Sequence, residues 1–197
     1  MRSIDFNLRE EYVRSWKYLK ESKKFIYLAI GIFVVFFFVG LFLYPPDIIL
    51  NYILDFISQL LEKTQSMSFS QLTSFIFFNN LKSSFFGIIF GVVLGIFPVL
   101  ALIANGYILG FVSSLTVVEE GIFSLWRILP HGIFELPAIF ISFGLGLKFG
   151  SFIFSKNKPK AFNDFLINSF RVFLLIVIPL LIVAAIIEGS FIFFLGS

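Results

Sequence analysis

Residues 25–44 run for twenty positions without a charged side chain. A helix of that length reaches about 30 Å, the depth of a bilayer's hydrocarbon core. Lipid offers no partner to a free backbone amide or carbonyl, so such a run must be helical. The composition extends the argument to the whole chain. Of 197 residues, 58% are hydrophobic and 20% aromatic, with a mean hydropathy of +0.98. The sequence therefore predicts an all-α, polytopic helical membrane protein. One transmembrane domain is expected over 25–197, preceded by an amphipathic cytoplasmic helix at 1–24.

Five spans are predicted, at 25–44, 85–104, 105–125, 133–154 and 172–195. The third is the weakest, because only 106–118 is apolar without interruption; it reads as a short span or a re-entrant segment. In the first segment Leu8, Tyr12, Trp16 and Leu19 recur at helical spacing beside Arg9, Arg14, Lys17, Lys20, Lys23 and Lys24. That pattern suits a helix on the membrane surface, with a soluble partner as the competing reading. No cleavable signal peptide is expected, since the first apolar run is too long for one and follows a charged segment. Pro45 and Pro46 end the first span. Between 45 and 84, Asp47, Asp55, Glu62 and Lys63 interrupt a stripe made by Ile49, Ile53, Phe56, Leu60 and Leu61. Two interfacial helices are expected there. Residues 155–171, with Lys156, Lys158, Lys160 and Arg171, read as a basic loop.

Basic residues set the expected orientation. Residues 1–24 carry seven Lys/Arg and 155–171 carry four, against Lys63 and Lys82 in 45–84. The positive-inside rule places the first two segments in the cytoplasm of a multi-pass plasma-membrane protein, with the C-terminus outside. The net charge of +3 and the lack of a basic motif argue against a nucleic-acid partner. With no cysteine, disulfides, thiolate zinc sites and cysteine nucleophiles are excluded.

Three sets of residues stand out. Gly87, Gly91 and Gly95 form a row at four-residue spacing, and Gly106 and Gly110 repeat it. Such rows let helix backbones approach closely, within a chain or between copies; a homo-oligomer, most simply a dimer, is expected. Asn79, Asn80 and Asn105 read as helix caps or as ligand groups. The third set lies in 119–137, where Glu119, Glu120, Arg127, His131 and Glu135 gather in an otherwise apolar region. Ionisable groups at membrane depth cost about 2.5–3.5 kcal/mol each on insertion scales, so those retained are paired or used. His131 and Glu135 are four apart and share a helix face. Pro130 fits the start of that helix and Pro137 falls inside it. Lys148 is expected to snorkel toward an interface. Glu188 is expected near the outer interface, with no function needed.

Several of these residues appear together in a pattern. Asn79 and Asn80 precede a Gly-rich helix with Gly91 and Gly95, Asn105 and Gly106 lead to Gly110, and His131, Gly132, Glu135, Leu136 and Pro137 close the series. In this the chain resembles the stage II sporulation protein M family, over nearly its whole length. The resemblance implies a membrane scaffold that organises partner proteins; the family's namesake holds two peptidoglycan-degrading proteins during endospore engulfment. It implies no enzymatic residues and no cofactor.

Three function classes follow. A non-enzymatic scaffold needs only the fold, the glycines and the amphipathic surfaces, with lipid and protein partners. A small oligomeric transporter or channel would use the asparagines and buried carboxylates as a pathway. An intramembrane metal-dependent hydrolase would need three or four protein ligands. His131 and Glu135 supply two, which leaves metal binding open.

Overall fold

The computed structural model describes residues 7–195, leaving out the side chains of 127–134 and of Leu195. The described residues are helical almost throughout. Helix α1 (Leu8–Glu21) opens with Asn7 as its N-cap, whose side chain accepts from the Arg9 amide. Ser22 separates it from α2 (Lys23–Phe42), the first span. Pro45 and Pro46 then end the helix as expected, since neither carries an amide hydrogen. Helix α3 (Asp47–Gln65) is amphipathic and buries only Ile53.

The next boundary differs from the sequence expectation. Helix α4 (Phe69–Ile89) starts in a capping box of Ser68 and Gln71 and continues as a 3₁₀ turn, Phe90–Val92. The chain reverses at Leu94 and Gly95, at φ 55° and 71°, and enters α5 (Ile96–Glu120). Thus the expected span at 85–104 does not exist. Its halves belong to two antiparallel spans, Phe69–Val92 and Ile96–Glu120. The segment expected to be short or re-entrant is a full 25-residue helix. One of the two interfacial helices expected in 45–84 is the first half of a span. Pro98, expected to bend a span, sits in the first turn of α5, where an amide has no helical acceptor to lose.

After a 3₁₀ segment, Ile122–Ile128, helix α6 (Leu129–Gly150) begins with Pro130 in its first turn and carries Pro137 inside. The residues expected to form a basic loop are instead α7 (Lys158–Val172). Asn157 caps it, accepting from the Lys160 amide, and Pro159 sits in its first turn. A π-helical stretch, Phe173–Val177, joins α7 to α8 (Ile178–Leu195). It precedes Pro179, which lacks the amide that would continue regular helical bonding.

Five helical segments are long and apolar enough to cross a membrane. Helix α6 is their centre, with every residue from 142 to 150 buried. On one side it packs against α2 and α5 through Ala29, Phe33, Leu102, Ile139 and Phe143. On the other it meets α1, α4 and α8 through Tyr18, Ile88, Leu145 and Leu181. Since lipid is as apolar as these side chains, close fit rather than water exclusion holds the helices together.

The glycines provide that fit. Gly87 faces the Phe143 ring, and Gly91 and Gly95 meet Gly146, Leu147 and Gly150 of α6. Gly106 and Gly110 lie on the α2 backbone at Phe33 and Phe37, and Gly40 lies on Tyr107 of α5. Both rows are therefore taken up inside one chain. Gly87 and Gly91 do share a helical face, whereas Gly95 forms the reversal instead of extending the row.

Candidate functional site: a cavity between the spans

Along α4, residues at spacings of three and four face the neighbouring helices. Leu72 and Ile76 pack against Ala185 of α8. One turn further on, the same helix presents Asn79, Asn80 and Ser83 to a cavity of about 390 Å³. Helix α5 contributes Asn105, α6 contributes Glu135, and α8 contributes Glu188. Phe33, Phe75 and Ile139 supply apolar wall, and α3 lays Phe56, Leu60 and Thr64 across one side.

The polar groups are graded. Asn79 and Asn105 are exposed, Glu188 is partly buried, and Asn80 and Glu135 are buried. The Asn105 amide donates to the Ala101 carbonyl at 2.8 Å, one helical turn back. All three asparagines thus lie inside helices, which overturns the reading of them as caps. Asn80 is only 7% exposed. Glu135 and Glu188 both interact within the protein.

The structure divides the cluster expected over 119–137. Glu135 joins the cavity. Glu119 and Glu120 are the last residues of α5 and are exposed. Arg127 and His131 lie where side chains are outside the described residues, so the expected His131–Glu135 pair lies outside them too. Among the described residues no group of three His, Asp or Glu side chains is arranged to hold a metal.

Glu188, expected near the outer interface with no function needed, stands in the cavity wall with Glu135. The available signal was its isolation as the one charge in the last apolar run, a costly placement that is rarely idle.

A second polar node lies away from the cavity, where α1, α6 and α7 meet. Lys148 does not snorkel; it is buried. Its ammonium donates to the Ser22 hydroxyl at 2.9 Å and stands 3.7 Å from the centre of the Tyr18 ring. A cation over an aromatic face in a dry setting is favourable by about 2 kcal/mol. Burial pushes the Tyr18 phenol up to about 12, so it stays neutral. Beside this node the Arg171 guanidinium of α7 pairs with Glu11 of α1, tying the two helices together.

A sequence model of the stage II sporulation protein M family matches residues 27–191. The chain belongs to that family. The matched region covers three of the spans completely and most of the first and the last, and leaves α1 outside it. Comparison with curated proteins and with solved structures returns no match. Family membership and apolar helices of spanning length make this stage II sporulation protein M relative a membrane protein.

Proposed function

We propose that the chain is a non-enzymatic scaffold of the plasma membrane that holds partner proteins beside a rigid five-span bundle. The observation carrying this reading is α3. It is nineteen residues long, buries only Ile53, and leaves Ile49, Tyr52 and Leu54 exposed. It lies at the opposite end of the bundle from α1 and α7. An amphipathic helix so lightly attached to its own chain has an apolar stripe to offer to lipid and to a partner's membrane-proximal segment. The family's namesake organises peptidoglycan-degrading proteins, so the partner class favoured here is a cell-wall hydrolase. The glycine rows are used internally, so they give no reason for a dimer. The cavity favours a second reading, uptake of a small solute into the bundle.

The test is purification of the full chain in native-lipid particles, with mass spectrometry of what accompanies it. A cell-wall hydrolase is expected with the parent protein and lost from the double variant Ile49→Asn, Tyr52→Asn. Recovery of lipid alone in both preparations refutes the scaffold reading.

A further inference from the structure

We propose that the recess at the junction of α1 and α2 is a binding site for an anionic phospholipid, with the lipid's phosphate held by Lys20 and Lys23. The recess lies at the end of the bundle opposite α3, so the inference is independent of α3 as a docking helix.

The packing of α1 builds the recess. Two polar ties hold its inner face to the bundle: Glu11 pairs with Arg171 of α7, and Ser22 accepts from Lys148 of α6. Ser15 and Tyr18, between those ties, are buried. Another flank is therefore turned outward. There Leu19, Lys20, Lys23, Ile26 and Tyr27 surround an open space of about 280 Å³. Because α1 is already fixed by its inner face, the recess needs no ordering when a ligand arrives.

Charge selects the sign of that ligand. Lys20 and Lys23 are exposed, and neither forms an ion pair with a described residue. No carboxylate belongs to the wall. Helical periodicity turns Glu10, Glu11 and Glu21 to other faces of α1.

Position selects its kind. Lys23 is the first residue of the first span, and Ile26 and Tyr27 follow within its first two turns. The recess thus straddles the boundary between water and hydrocarbon, cationic on one side and apolar on the other. Further along α2, Val34 and Phe38 are exposed on the same face as Tyr27. A phospholipid has the same order, phosphate first and acyl chains behind it. Lysines at this level attract anionic headgroups, and tyrosine favours the headgroup layer. The outward flank continues along α1 as Leu8, Tyr12 and Trp16, all exposed, which suits a helix seated in the interface. A soluble acidic partner would match the lysines alone, and not the apolar face beyond them.

The experiment titrates the full chain in detergent with phosphatidylglycerol and, separately, with zwitterionic phosphatidylcholine, counting bound lipid by native mass spectrometry. One phosphatidylglycerol is expected to bind about tenfold more tightly than phosphatidylcholine, and Lys20→Gln with Lys23→Gln should abolish the difference. Lys158→Gln with Lys160→Gln removes the same charge from α7 and should leave it unchanged. Glycerol 1-phosphate, the headgroup without chains, should not displace the lipid. Equal affinity for the two lipids overturns the proposal and leaves the recess to a soluble partner. Selectivity that survives in a folded Lys20→Gln, Lys23→Gln protein also overturns it, as does an equal loss in the α7 variant. Displacement by glycerol 1-phosphate would make the recess a site for soluble phosphates instead. If the recess variant does not fold, the two lipids compared on the parent and on the α7 variant decide alone. Loss of hydrolase co-purification would leave every one of these outcomes intact.

Discussion

Gly91 and Gly146 show how single residues hold this fold. A methyl group on Gly91 would lie 2.5 Å from the Gly146 Cα, against backbone that has no rotamer to yield. Gly91→Leu is therefore expected to destabilise by about 1–3 kcal/mol or more, the cost of overpacking a fitted contact. Thermal unfolding in detergent measures it, and native mass spectrometry should find the copy number of the parent unchanged. A dissociated oligomer with unaltered stability would return the glycines to an interface between copies. The four-residue spacing was legible in the sequence, but its partner was not, because a glycine row looks alike whichever helix it meets. Lys148 makes the same point from charge. Its sequence position near a helix end suggests snorkelling, whereas the tertiary fold closes α1 and α7 over it. In an amine-reactive labelling experiment read by mass spectrometry, Lys156, Lys158 and Lys160 should be modified and Lys148 protected. Modification of Lys148 at the same rate would show the node to be open.

Among the elements, the reversal between α4 and α5 departs most from sequence reasoning. Hydropathy runs high through 85–104, so a window of spanning length fits there as well as on either side. The deciding feature is conformational. Leu94 and Gly95 both take left-handed backbone, which glycine tolerates and a leucine adopts at a cost of about 1–2 kcal/mol. Leu94→Gly should thus stabilise the protein by about 1 kcal/mol, and Gly95→Val should destabilise it by at least that much, both read from unfolding midpoints. The reverse order would contradict a left-handed pair at the turn. By contrast α7 was available from sequence. Asn157 followed by Pro159 is a helix start, and Phe162, Phe165 and Ser169 keep helical spacing. Its basic residues obscured that pattern. The pairing of Arg171 with Glu11, by contrast, joins helices far apart in the chain and is legible only in the tertiary fold.

Taken whole, the bundle has two unlike ends. Helix α2 packs antiparallel to α6 and parallel to α5, which puts α1, the 94–95 turn and α7 at one end. Helix α3 and the 122–128 segment lie at the other. The first end carries the excess of basic residues, so it is expected in the cytoplasm. With single cysteines introduced at Lys158 and Ser66, a membrane-impermeant thiol reagent applied to intact cells should label only the Ser66 site. Labelling at Lys158 alone would invert the protein. The sequence by itself determined the all-α class and the count of five spans. Apolar length is a local property, measured against a bilayer of fixed thickness. The family was legible for a similar reason, since its pattern is one of order and spacing. Only the tertiary structure decided where two of the spans begin and end, and which helices the glycines join. It alone brought Asn80, Glu135 and Glu188 to one cavity. Those three residues come from separate helices, and helical periodicity says which face a side chain occupies, never which other helix that face will meet.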